Sequence, residues 1–232
     1  MCIRGSFLLL FCFFVLFSIY SLEITKIEAD TFIGSGFNRN FNYYGDISLT
    51  GAIELQNIIK FKCGILFGKN SNFYDINLFF NAGYSPFYLP FFRYLGFSVS
   101  YKFNLITEYE SRLHSILPLL SFNTNRIGLS IGTNFRFFSF FGEKPQLESI
   151  ISFYFCYYFL LTKMISMNIN IGNFNDFYVK NIGSYSLGVN TVININNNWS
   201  IINKFELMQS GGDVFSNTFY GISVKLGTRF SW

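Results

Sequence analysis

The feature that most constrains this chain is an alternation of apolar and polar side chains with a period of two, repeated along most of its length. Tyr43, Gly45, Ile47, Leu49, Gly51, Ile53 and Leu55 share one parity, while Tyr44, Asp46, Ser48, Thr50, Ala52, Glu54 and Gln56 share the other. A period of two is the β-strand period, with one face in an apolar medium and the other in a polar one. After a turn at Asn57-Ile58 the pattern resumes, with Ile59, Phe61, Cys63, Ile65 and Phe67 set against Lys60, Lys62, Gly64 and Gly68. It returns from Ile76 to Tyr84, Leu95 to Leu105, Ile127 to Phe137, Ile165 to Ile171, Tyr185 to Ile195 and Tyr220 to Trp232. Beyond the N-terminal segment, no stretch offers the roughly 20 uninterrupted apolar residues of a membrane helix.

The apolar parity is too extensive for a soluble domain. Half of the 232 residues are hydrophobic, 22% are aromatic and only 13% are charged. So much exposed aromatic surface would aggregate in water. The polar parity, lined by Ser, Gly, Asn and Lys, cannot be a dry core, because buried polar groups without partners are costly. A closed antiparallel up-and-down transmembrane β-barrel satisfies both faces, with apolar residues turned to lipid and polar residues lining the interior. The connections support it by alternating in length. Short turns fall near 57–58, 85–90, 123–125, 161–163 and 196–198, and longer polar stretches near 37–42, 69–74, 106–111, 142–146, 173–181 and 209–217. About twelve strands result; ten is the alternative, because the stretches at 24–36 and 112–122 alternate poorly.

The last strand carries a more specific signal. Lys225, Gly227, Phe230 and Trp232 fill the places of a polar residue, a glycine two places on, a hydrophobic residue two before the end and a terminal aromatic. In this the chain resembles bacterial outer-membrane β-barrel proteins of the porin-like kind, whose C-terminal strand is an assembly signal. The resemblance covers one strand. It implies the outer membrane as location, its lipid as surroundings and the barrel-assembly machinery as a partner. Two aromatic girdles would accompany such a barrel. Tyr84, Trp199 and Trp232 are placed for the short-turn side, and Tyr43, Tyr178 and Tyr220 for the long-loop side.

At the N-terminus, Arg4 precedes an apolar run reaching Leu22, followed by Glu23, Lys26, Glu28 and Asp30. Residues 1–21 read as a cleaved secretory signal peptide, with an uncleaved anchor as the rival, and 22–232 as a single barrel domain. Losing that segment removes Arg4 and no acid, so the balance of 17 basic to 13 acidic residues barely moves. Such a mild charge does not point to nucleic acid. Cys63 and Cys156 fall on opposite faces of distant strands, which argues against a disulfide, and their spacing is not that of a metal site.

A fold does not name a function. His114 is the only histidine. The lipases and deacylases that share this architecture carry His and Ser two residues apart on one lipid-facing strand. Here Ser115 points to the opposite face and Ile116 follows, so His114 reads as an isolated, loop-proximal residue. The acids Asp75, Glu108, Glu110, Glu143, Asp176 and Asp213 are scattered rather than clustered with it. No enzyme, cofactor or metal is expected. The lumen remains: Lys60, Lys62, Lys102, Arg136, Lys204, Lys225 and Arg229 face inward against Asp46, Glu54, Asp75, Glu148 and Glu206. They read either as a small porin passing solutes or ions with a mild anion preference, or as pairs that plug the interior. The second function class is an adhesin or ligand-binding barrel whose outer loops hold extracellular ligands through Phe73, Tyr74, Tyr109, Phe174 or Phe215, with Phe177 and Tyr178 read instead as girdle residues.

Overall fold

The computed structural model describes residues 23–38, 43–70, 74–87, 94–106, 111–139, 146–179, 185–208 and 221–232. The segment read as a signal peptide, and Phe73, Tyr109, Phe215 and Tyr220, lie outside these. Twelve strands follow one another: β1 (Ile24–Asn38), β2 (Tyr43–Leu55), β3 (Ile59–Asn70), β4 (Tyr74–Phe87), β5 (Tyr94–Ile106), β6 (Ser111–Asn123), β7 (Ile127–Ser139), β8 (Gln146–Leu161), β9 (Ile165–Gly172), β10 (Ser186–Asn194), β11 (Trp199–Met208) and β12 (Gly221–Ser231). Each pairs antiparallel with its neighbours in sequence, and β12 pairs with β1, so the sheet is a closed up-and-down barrel. The seam runs in continuous register from Glu28 opposite Ser231 to Asn38 opposite Gly221. At its end, Ile27 N–H donates to the Trp232 carbonyl at 2.8 Å and Trp232 N–H donates to the Ile27 carbonyl at 3.0 Å. Closure leaves no sheet edge, the condition for strands in hydrocarbon.

Glu23, the first described residue, Trp232 and the short turns among the described residues share one rim. In the turn after β2, Gln56 and Asn57 take φ of 49° and 57°, a left-handed stretch that reverses a hairpin tightly. The opposite rim is formed by the other ends of the strands. Between the rims, Ile33, Ile47, Leu49, Phe67, Leu78, Phe97 and Ile131 are exposed on the outside, and Phe61 stacks outward on Phe80 at 6.4 Å. Tyr84, Trp199 and Trp232 stand exposed at the short-turn rim, where Trp199 and Trp232 flank Phe230 at 4.7 Å and 4.8 Å. Tyr43 and Tyr74 are exposed at the other. Tyr178 does not join them, because it packs inside the barrel. Cys63 is exposed on the outer face and Cys156 buried on the inner one, both as free thiols.

The two stretches that alternate poorly in sequence are strands β1 and β6. Their irregularity comes from apolar residues that point inward: Phe32 on β1, and Leu113, Leu117 and Leu119 on β6. Phe32 requires room, and Gly227 across the seam provides it. A Cβ on Gly227 would stand 2.3 Å from the Phe32 ring and 2.4 Å from the Thr31 carbonyl oxygen. Gly227→Val therefore overpacks the seam by about 1–3 kcal/mol. In detergent refolding without assembly factors, the variant should give a markedly smaller fraction of the compact form that migrates fast when unheated. An undiminished compact band would refute this account of the glycine.

Candidate functional site

The barrel interior is neither empty nor uniformly polar, because the connection after β9 turns into it. Asn173 makes the turn possible. Where β9 leaves β8, its side chain replaces the missing strand: Phe153 N–H donates to Asn173 Oδ1 at 2.8 Å, and Asn173 Nδ2 donates to the Ile151 carbonyl at 2.8 Å. Residues 174–179 then form a short hairpin, closed by an antiparallel bridge between Phe174 and Val179. Asn175 sets its tip, its Oδ1 accepting from the N–H groups of Phe177 at 2.9 Å and Tyr178 at 2.8 Å. This is an Asx turn, which asparagine forms because its side chain mimics a backbone carbonyl.

Two apolar seats on the barrel wall receive the hairpin. Phe177 packs on Leu66 and Phe79, its ring edge-on to Phe79 at 4.9 Å, while Val179 packs on Leu117 and Leu119. Phe174, Phe177 and Tyr178 are thus interior groups, not loop anchors or girdle residues: a hydrophobic seat on the inner wall outcompetes the interface for them. Polar contacts fix the depth. Arg136 donates to the Val179 carbonyl at 2.8 Å, Asn104 to the Phe177 carbonyl at 3.2 Å, and Lys102 to the Asn175 carbonyl. The Tyr178 hydroxyl donates to Asp75 Oδ2 at 2.7 Å and accepts from Asn77 Nδ2 at 2.9 Å, with Tyr44 also donating to Asp75 at 3.1 Å. Gly68 leaves space for this network, since a Cβ there would lie 1.8 Å from Asp75 Oδ1. Burial, with Tyr44 and Asp75 beside it, pushes the Tyr178 phenol well above its ordinary value, so it stays a donor.

Asp176 forms the hairpin tip. Its carboxylate meets the Lys62 ammonium at 2.5 Å, and Lys204 and Lys102 lie close by. Burial alone would raise the Asp176 carboxyl, but the ammoniums of Lys62, Lys204 and Lys102 hold it below the ordinary carboxylate value. Beside it remains a cavity of ≈ 330 Å³, bounded by these three lysines, Asp176, Glu206, Phe79, Phe174, Tyr154 and a set of serines and asparagines.

Most other inward charges stand in pairs. Lys225 meets Asp46 at 2.7 Å, Arg229 grips Asp30 through two bonds of 2.8 Å, Lys60 lies 3.5 Å from Glu28, and Arg136 lies 3.6 Å from Glu148. Glu54 stands opposite Lys60 in the ladder. The sequence pattern did not reveal Glu28, Asp30 or Asp176 as interior groups. The first two lie on the poorly alternating β1, and Asp176 lies in a connection. Leu66, Phe79, Leu117 and Leu119, apolar residues on the polar parity, were the available signal.

His114 is not isolated. It faces outward on β6, with Nδ1 2.8 Å from the Tyr101 hydroxyl and its ring 5.0 Å from Phe103, while Ser115 is buried on the inner side. Among the described residues, no three His, Cys, Asp or Glu side chains cluster as metal ligands.

No family model matches the sequence, and no curated protein matches it. Solved structures do share its fold across nearly all of the chain. An outer-membrane channel from Pseudomonas putida F1 aligns with a TM-score of 0.58 at 7% identity, covering 91% of this chain and 97% of that one. The NanC porin aligns at 0.55 and 8% identity, covering 88% and 98%. The KdgM porin in complex with disordered oligogalacturonate aligns at 0.53 and 9% identity, covering 90% and 99%. The chain therefore has the fold of bacterial outer-membrane β-barrels.

Two measurements check the docking of the hairpin. Phe177→Ala removes its main apolar anchor, so amide exchange at 174–179 should accelerate about tenfold or more while strand amides keep their protection; equal protection would contradict the seat. The stabilisation from Asp176 is fully present above the ordinary aspartate value and is lost only as pH falls through its lowered one. Protection factors at 174–179 should therefore be unchanged between pH 7 and about 4, the latter near the ordinary value. Release of the hairpin near pH 5 would contradict the lysine cluster.

Proposed function

We propose that this protein is a non-enzymatic passive channel of the bacterial outer membrane for small solutes or ions. In this reading residues 1–21 export it, and the strand bearing Lys225, Gly227, Phe230 and Trp232 presents it to the barrel-assembly machinery. The observation that carries the reading is a closed wall with an outward apolar band, enclosing an interior that is charged, polar and narrowed by an inserted hairpin. Narrowing a lumen with a loop suits selective passage, because constrictions and the charges around them set which solutes cross. Barrels of about eight strands are filled by wall side chains, whereas those of sixteen or more leave a wide channel. Twelve strands leave space that the hairpin occupies in part. The likeness to the porins NanC and KdgM, the latter seen with an acidic oligosaccharide, supports traffic through such an interior.

The surface-binding alternative is weaker. Phe174, Phe177 and Tyr178 are committed to the lumen, and the exposed Tyr74 lies on a strand. Planar bilayer recording of the refolded protein tests the channel. Discrete current steps are expected, and replacing Asn175, Asp176, Phe177 and Tyr178 by a Gly-Ser pair should raise unit conductance roughly twofold or more by removing the constriction. A barrel that is folded yet silent in both forms would reject the reading.

A further inference from the structure

The geometry points to a built binding site for small carboxylates inside the lumen, in which Asp176 is the resident occupant that a solute replaces. Lys62 on β3, Lys102 on β5 and Lys204 on β11 converge on one cavity from three separate parts of the wall. Charges of one sign are costly to gather in a confined space unless an opposite charge sits among them. Asp176 supplies that charge from a hairpin tip. Among the described residues only Lys62 contacts it as an ion pair, at 2.5 Å. The Lys102 ammonium is turned to the Asn175 carbonyl and lies 5.6 Å from the Phe174 ring centre, and the Lys204 ammonium stands 4.3 Å over the Phe32 ring. These are neutral partners, so two of the three ammoniums have no direct carboxylate contact among the described residues. Among the described residues Glu206 is the other acid on the cavity wall, which leaves this lining with one more cation than anions.

The rest of the lining narrows the class of ligand. Asn81, Asn170, Asn190 and Ser100 offer amide and hydroxyl groups at the cavity, while Phe79 and Phe174 offer apolar ring surfaces. That combination suits a polyhydroxylated ring with a carboxylate on it: hydroxyls to the amides, carboxylate to the lysines and the apolar ring face to phenylalanine. The cavity of ≈ 330 Å³ lies at the small end of the roughly 300–1,000 Å³ typical of ligand pockets, which favours a single sugar acid over a polymer. A solute carboxylate entering beside Lys102 and Lys204 takes over the charge that Asp176 supplies and leaves the net charge of the site unchanged when the hairpin tip withdraws. This deepens the channel reading and rests on it, because the solute reaches the site through the lumen.

Isothermal titration calorimetry on the refolded full chain in detergent, with glucuronate against glucose as probes, tests the site without needing current. Glucuronate is expected to bind saturably and glucose at least about tenfold more weakly, since an ion-assisted contact separates them. Asp176→Asn removes the competing carboxylate and should tighten glucuronate about tenfold, whereas the double variant Lys102→Gln, Lys204→Gln should weaken it about tenfold. Equal affinity for the two sugars, or no tightening in Asp176→Asn, would overturn the proposal. Should Asp176→Asn lack the compact unheated band, Lys204→Gln alone decides, a loss of about threefold or more supporting the site and none overturning it. Current steps with a silent calorimeter would sink the site and leave the channel; glucuronate binding without any current would keep the site and sink the channel.

Discussion

Everything in this molecule follows from the requirement that no peptide group in hydrocarbon be left unpaired. Each unmade backbone hydrogen bond in lipid costs several kcal/mol, so a sheet crossing a membrane must close. Closure occurs between β1 and β12, and it fixes the register of every strand in turn. Register then decides which side chains meet lipid, because a slip of one residue exchanges the two faces. Such a slip would carry Lys62, Lys102 and Lys204 from the interior to the bilayer, where a midplane lysine costs about 2–4 kcal/mol. The alternation is thus more than a mark of strands. It opposes every wrong pairing.

Closing twelve strands creates a second problem, since the wall's own side chains do not fill so wide an interior. The hairpin at 174–179 answers it by importing apolar groups, Phe177 and Val179, onto inward leucines and Phe79 that would otherwise face water. Asn173 is the hinge of this solution. By bonding to Phe153 and Ile151 as a strand would, it lets the backbone leave β8 without stranding the ladder. The polar half of the interior is reconciled separately, with Arg229 on Asp30 and Lys225 on Asp46, where each charge is matched near the place it enters.

Strands, rims and the lipid-facing parity were legible in the sequence because they rest on a local period that any window of ten residues displays. The inserted hairpin was not, because insertion depends on contacts between residues more than 50 positions apart. Leu66 and Phe79, like Leu117 and Leu119, look like lapses in alternation on their own strands, and only the presence of Phe177 and Val179 explains them. The same irregularity obscured β1, where Phe32 hid the inward parity of Glu28 and Asp30. Adding those two acids and Asp176 removes the overall basic excess that the remaining wall charges suggest. What persists is a local excess of ammonium groups around one cavity.

That locality bears on how firmly the hairpin is held. Burying Phe177 contributes about 1.5–3 kcal/mol, and each neutral hydrogen bond adds roughly 1 kcal/mol net. Ordering a connection costs about 1–2 kcal/mol per residue, so contributions of this size are largely offset over the segment 173–179. The Lys62–Asp176 pair, with side chains 25% and 39% exposed, adds little against solvent screening. A constriction held by such a narrow margin is movable in a way that the wall is not. The wall's hydrogen bonds are closed in a ring, while the hairpin's contacts border a polar cavity. Rigidity and adjustability are therefore assigned to different parts of one chain by the medium each part faces.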